Sequence, residues 1–192
     1  MKPSRPPEAL PRRGALLLAG GVLAAGASWL AWPRAAAPGF GPLHLGMTRA
    51  EALRALGPAA LPAPLCGGVE GVLFDWPDPA LHPRPVPAMA MFAATEARLS
   101  EMEASLSHPD GGLGLAEWQA MVAAQREEMA RRLGTTPQPG PAEEDAMGAA
   151  RHWRFAAAGA EVTLASRWMR RSGAGYTRLH WLAAGQEAVI TG

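Results

Sequence analysis

The side chains of this chain that do acid–base, nucleophilic or metal chemistry are few and scattered. The five histidines are His44, His82, His108, His152 and His180. None falls at the His-x-His or His-x-x-x-His spacing that brings two imidazoles to one metal ion, and none has a cysteine partner, so no metal site is expected. Cys66 is the only cysteine. It forms no internal disulfide, and the sequence places no general base and orienting group beside it, as a nucleophilic thiolate needs. The carboxylates on predicted strands are Glu70, Asp75, Glu101, Glu103 and Glu161; Glu101 and Glu103 share a face and read as its solvent side. Gly111-Gly112-Leu113-Gly114 follows a turn rather than a strand, and its helix carries Glu117 early, which a phosphate would avoid. No catalytic residue and no cofactor is expected, and an enzyme is the least favoured reading.

Tryptophan and arginine are more informative. Trp76, Trp153, Trp168 and Trp181 fall on predicted strands, accompanied by Arg151, Arg154, Arg167, Arg170, Arg171 and Arg178. Either the tryptophans build a core, or a sheet face carries aromatics and arginines together, the two residue types that dominate interface hot spots. Strand parity separates them. Trp153 and Phe155 share one face, and His152 and Arg154 the other. Val162, Leu164 and Trp168 go together, and Trp181 goes with Leu179, opposite Arg178 and His180. The outward arginines Arg154, Arg167 and Arg178, with Arg170 and Arg171, are the candidate partner-binding residues.

The first element precedes the domain that carries them. Residues 1–13 are basic and Pro-rich and end in Arg12-Arg13; Gly14 to Trp32 then runs 19 residues without a charge. A basic start followed by such a run reads as a signal peptide or a single membrane-spanning helix, here residues 1–37. The arginines favour a cytoplasmic N-terminus, which puts the domain on the periplasmic side. Small residues at Ala25-Gly26-Ala27 suit cleavage. Against it, 19 residues at about 1.5 Å each nearly span a bilayer core, and Trp29 and Trp32 suit its interface. Beyond residue 37 the chain holds 13 basic and 16 acidic residues, a mildly acidic balance with no footprint for nucleic acid.

Two halves with the same order of elements follow, residues 38–110 and 111–192. In the first, Thr48 with Glu51 forms a capping box, Ala52, Leu53 and Leu56 make an apolar face, and Gly57-Pro58 stops the helix. Val69 to Trp76 and Met89 to Ala94 read as strands. Arg98 to Leu106 reads as a third, paired to the second through a turn near Thr95-Glu96, although Leu99, Met102 and Leu106 also fit a helix. In the second half a helix over Leu115 to Leu133 ends at Gly134. A Pro-, Glu- and Gly-rich loop over Thr135 to Gly148 follows, then strands over His152 to Ala156, Glu161 to Trp168 and Tyr176 to Leu182. The predicted fold is α+β, two tandem units of one helix and three antiparallel strands behind an N-terminal hydrophobic helix.

Leu45-Gly46-Met47-Thr48, with Glu51, Leu53 and Leu56-Gly57, resembles the opening of the SmpA/OmlA outer-membrane assembly lipoproteins and of the wider β-lactamase-inhibitor-like fold. The match covers about 15 residues. The resemblance implies a helix running into a small antiparallel sheet, two such units in tandem, and binding of other proteins through the sheet face or its loops. The lipoprotein cysteine after the hydrophobic segment is missing here. The expected function is a non-enzymatic interaction module of the bacterial envelope, facing the periplasm, with another envelope protein as partner and the membrane reached through residues 14–32 if that segment is retained. The alternative is a periplasmic domain that binds or senses a small ligand in a pocket between helix and sheet.

Overall fold

The computed structural model describes residues 39–65, 69–93 and 97–186. The N-terminal hydrophobic segment, Cys66 with its two glycines, and the turn expected at Thr95-Glu96 lie outside the described residues. Among those described, no helix is long and apolar enough to cross a membrane.

A two-residue ribbon, β1 (Gly39–Phe40) with β2 (Leu43–His44), leads into α1 (Arg49–Leu56). The cap of α1 is reciprocal. The Glu51 N–H donates to Thr48 Oγ1 at 3.3 Å, and the Thr48 N–H donates to Glu51 Oε2 at 2.8 Å, so two otherwise idle donors are satisfied. Then come β3 (Leu61–Pro64), β4 (Glu70–Trp76), β5 (Val86–Phe92) and β6 (Leu99–Ser105). The stretch whose apolar spacing also fitted a helix is this last strand. The long helix α2 (Leu115–Leu133) follows and ends at Gly134 in the left-handed conformation, φ 62°. After it come β7 (Gln138–Pro139), β8 (Glu143–Glu144), β9 (Gly148–Ala157), β10 (Ala160–Met169) and β11 (Ala174–Ala183).

The expectation of two tandem helix-plus-sheet units is overturned. Strand makes up 46% and helix 19% of the described structure, and nine strands join in one antiparallel sheet. Its order is β3-β4-β5-β6-β11-β10-β9-β7, with β8 also on β9. The join is β6 to β11, from Leu182 opposite Glu101 to Arg178 opposite Ser105. Two separate sheets would each have left the backbone donors and acceptors of an apolar strand unpaired at an edge; pairing those edges satisfies both at once. Three short strands also escape the hydrophobic pattern. β3 carries Pro62 and Pro64, which only an edge strand tolerates because proline has no N–H to donate, while β7 and β8 are too short to show any alternation.

Both helices lie on one face of the sheet. Ala52, Leu53 and Leu56 of α1 and Met129, Ala130 and Leu133 of α2 pack with Val72, Phe74, Ala90, Met102, Phe155, Val162, Leu164 and Leu179. Trp76 and Trp181 meet edge to face across this core, their ring centres 6.4 Å apart. A second cluster gathers Trp118 and Val122 of α2 against Ala149 and Trp168. Trp118 is fully buried, and its Nε1–H donates at 2.9 Å to the hydroxyl of Ser166, itself 2.7 Å from the Thr177 hydroxyl. The strand tryptophans are therefore core residues, and residues of the opposite parity face away from the helices.

Candidate functional site

Strand register sets out the helix-free face row by row. In one row Ser105 of β6 stands beside Arg178 of β11, then Ala165 of β10, then His152 of β9. In the next, Tyr176 stands beside Arg167 and then Ala150. The row on the other side runs Glu103, His180, Thr163, Arg154. Ala165 and Ala150 are small residues among long ones, so they form a floor that Arg167, Arg178, Arg154, Tyr176 and His152 surround. The loop through Pro141 and Glu143 closes one side and Ser105 and Ser107 the other, giving an open groove of about 630 Å³.

Most of the positive charge there is already balanced. Arg178 Nε lies 3.2 Å from a Glu103 oxygen, and Arg154 Nε 3.9 Å from one of Glu161. Arg151, of the opposite parity, reaches the rim, where it pairs with Glu144 at 3.6 Å and donates to the Glu143 carbonyl at 3.1 Å. Arg167 differs. It is exposed, and among the described residues it makes no hydrogen bond or ion pair. Its positive field reaches the carboxylate of Asp145, but that group is held by the N–H groups of Met147 and Gly148, at 2.7 and 2.9 Å, which do most to keep its pKa low. Partial burial, and then the charge of Arg154, pushes the His152 imidazole below the usual histidine range, so it stands neutral at pH 7. Its ring is backed by Gly140, where a β-carbon would come within 2.4 Å of Nδ1. On the same face, His180 Nε2, in the row that holds Glu103, lies 2.7 Å from Oε1 of the fully buried Glu101 beyond that row, a pair that ties β11 to β6.

Of the five arginines singled out by sequence, the structure gathers Arg154, Arg167 and Arg178 in the groove. It places Arg170 and Arg171 elsewhere, at the turn from β10 to β11. Arg170 lies over the Trp168 ring at 5.7 Å and donates to the Asp145 carbonyl at 3.3 Å, while Arg171 is exposed. Sequence reasoning missed Arg151, His152, Tyr176 and the alanine floor as groove residues. Alternation alone offered a signal for His152, which shares its parity with Arg154. Glu101, expected on a solvent side, is buried against His180. No family model, curated protein or solved structure matches the chain. Among the described residues no three side chains of metal-ligating type converge.

The arrangement can hold an anionic group. Guanidinium groups stay charged at every physiological pH and are poor proton carriers. A bound anion would meet fixed positive charge, a phenol and hydroxyls.

Proposed function

We propose that this protein is a non-enzymatic interaction module of the bacterial envelope, facing the periplasm, and that the groove around Ala165 is where its partner docks. The observation that carries the reading is the placement of Arg154, Arg167 and Arg178 around one floor on the sheet face that neither helix covers. Side chains there can engage a partner without disturbing the core, and arginine is among the residues that dominate interface hot spots. The compartment rests on the basic and then uncharged N-terminal sequence, which also supplies the membrane attachment if it is retained.

The test compares the full chain with its Arg154→Ala, Arg167→Ala, Arg178→Ala triple variant, both C-terminally tagged and cross-linked in envelopes before solubilisation. The reading expects one envelope protein recovered in near-stoichiometric amount with the parent and lost with the variant, at an unchanged melting temperature. Equal recovery with both chains would remove the groove from the interaction.

A further inference from the structure

Resting on that reading, we propose that the groove binds a short acidic peptide segment of the partner, and that Arg167 seats its carboxylate. Of the arginines that line the groove, Arg151, Arg154 and Arg178 already face carboxylates of this chain. Among the described residues Arg167 alone of these arginines makes no direct ion pair; its field reaches Asp145, whose carboxylate is already held by the Met147 and Gly148 N–H groups. Arg167 is exposed and stands between Tyr176, itself 49% exposed, and the small Ala150, with Ala165 two residues back along its own strand. A guanidinium presents parallel N–H groups at the spacing of two carboxylate oxygens, and the paired form is stronger than a neutral hydrogen bond. The Tyr176 hydroxyl, next to Arg167 across the strands, supplies a further donor.

The groove's ends limit what enters. Glu103 stands at the β6 end and Glu143 at the β8 end. A long polyanion would be repelled at both, whereas a segment with its negative charge in the middle and neutral or basic flanks is matched along its length. From β6 across β11 and β10 to β9 is three strand spacings, about 14 Å, which about four extended residues cover. The backbone of these inner strands is already paired within the sheet, so recognition falls to side chains, and the charge at Arg167 decides it.

The experiment uses the full chain in detergent at low salt and a rhodamine-labelled acetyl-Ala-Glu-Asp-Ala-amide, followed by fluorescence anisotropy. The control peptide is acetyl-Ala-Gln-Asn-Ala-amide. The acidic peptide is expected to bind at least tenfold more tightly than its amide twin. Arg167→Met should erase that difference, Arg167→Lys restore part of it, and Arg171→Met, outside the groove, leave it intact. Equal binding of the two peptides, or an Arg167→Met chain that still prefers the acidic one, overturns the proposal. The wider reading fails separately: if the acidic peptide shows no preference while the triple variant still loses its envelope partner, the groove is the interface and the acidic ligand is wrong. If the triple variant keeps the partner, the docking site itself is wrong.

Discussion

Arg132, in the last turn of α2, and Asp78, in the loop after β4, face each other in a two-point ion pair. One guanidinium nitrogen donates to Asp78 Oδ1 at 2.7 Å and another to Oδ2. The pair fastens the longer of the two described helices to a loop of the other half of the chain. Gln125 reinforces it two turns back with a bond from Nε2 to the Leu81 carbonyl at 3.1 Å.

Asp78→Ala removes the two-point partner of the partly buried Arg132 guanidinium, which keeps only its Nε bond to Glu128 at 2.6 Å. The loss is expected at about 1.5–3 kcal/mol, the range for charged hydrogen bonds. A double-mutant cycle with Arg132→Ala, read by urea unfolding, checks it; additive single effects would mean the two groups do not work together.

Ser166 is the link between a buried indole and a buried threonine. Ser166→Ala leaves the Trp118 Nε1–H and the Thr177 hydroxyl without this partner, at roughly 1–3 kcal/mol for each buried group left unsatisfied. Chemical denaturation should show the loss. A stability unchanged within 0.5 kcal/mol, roughly the spread of surface substitutions, would mean that relaxation or water replaces the hydroxyl.

The rings of His82 and His108 lie 4.6 Å apart, flanked by Arg84 and Asp110. Burial first, then the charges of His82 and Arg84, lowers the pKa of His108, while Asp110 pulls weakly the other way. The folded protein therefore holds fewer protons than the unfolded one just below the ordinary histidine value of 6.5. Stability from this group is complete above that value and declines as the pH falls through the lowered one. Thermal melts at pH 7.5 and 5.5 should show a larger acid loss in the parent than in His108→Gln. His152, shifted the same way, leaves a residual slope in both.

Thr48→Ala should cost about 1 kcal/mol by removing one half of the cap on α1. Thr48→Ser, which keeps the hydroxyl, should restore most of it. Calorimetric melting of the three chains decides this, and an equal loss in both variants would assign the effect to the threonine methyl group.

Local features of the chain were legible in its sequence. Thr48 and Glu51 announced the cap, Gly57 and Gly134 the helix ends, and the alternation around Trp153, Leu164 and Leu179 told which side chains face the helices. Each of these is written within a few residues. The pairing of β6 with β11 is not: Ser105 and Arg178 carry no mark that they are neighbours, and a repeated order of elements looks the same whether its sheets are separate or fused. The groove was half legible for the same reason. Parity found Arg154, Arg167 and Arg178, but that Ala165 stands between Arg178 and His152 depends on register between strands. That Arg167 alone of the groove's arginines makes no direct ion pair among the described residues depends on where Glu103, Glu144 and Glu161 end up.

The position of β11 has a consequence for how the molecule is made. It is the last of the described strands yet lies in the interior of the sheet, between β6 and β10. A chain that emerges N-terminus first presents β6 with one open edge while roughly 70 further residues appear, and such long-range pairing is slow to form. During that interval the exposed edge is open to pairing with another chain. A chain that lacked β11 would leave the facing edges of β6 and β10 both unpaired, two open sheets rather than a slightly smaller protein.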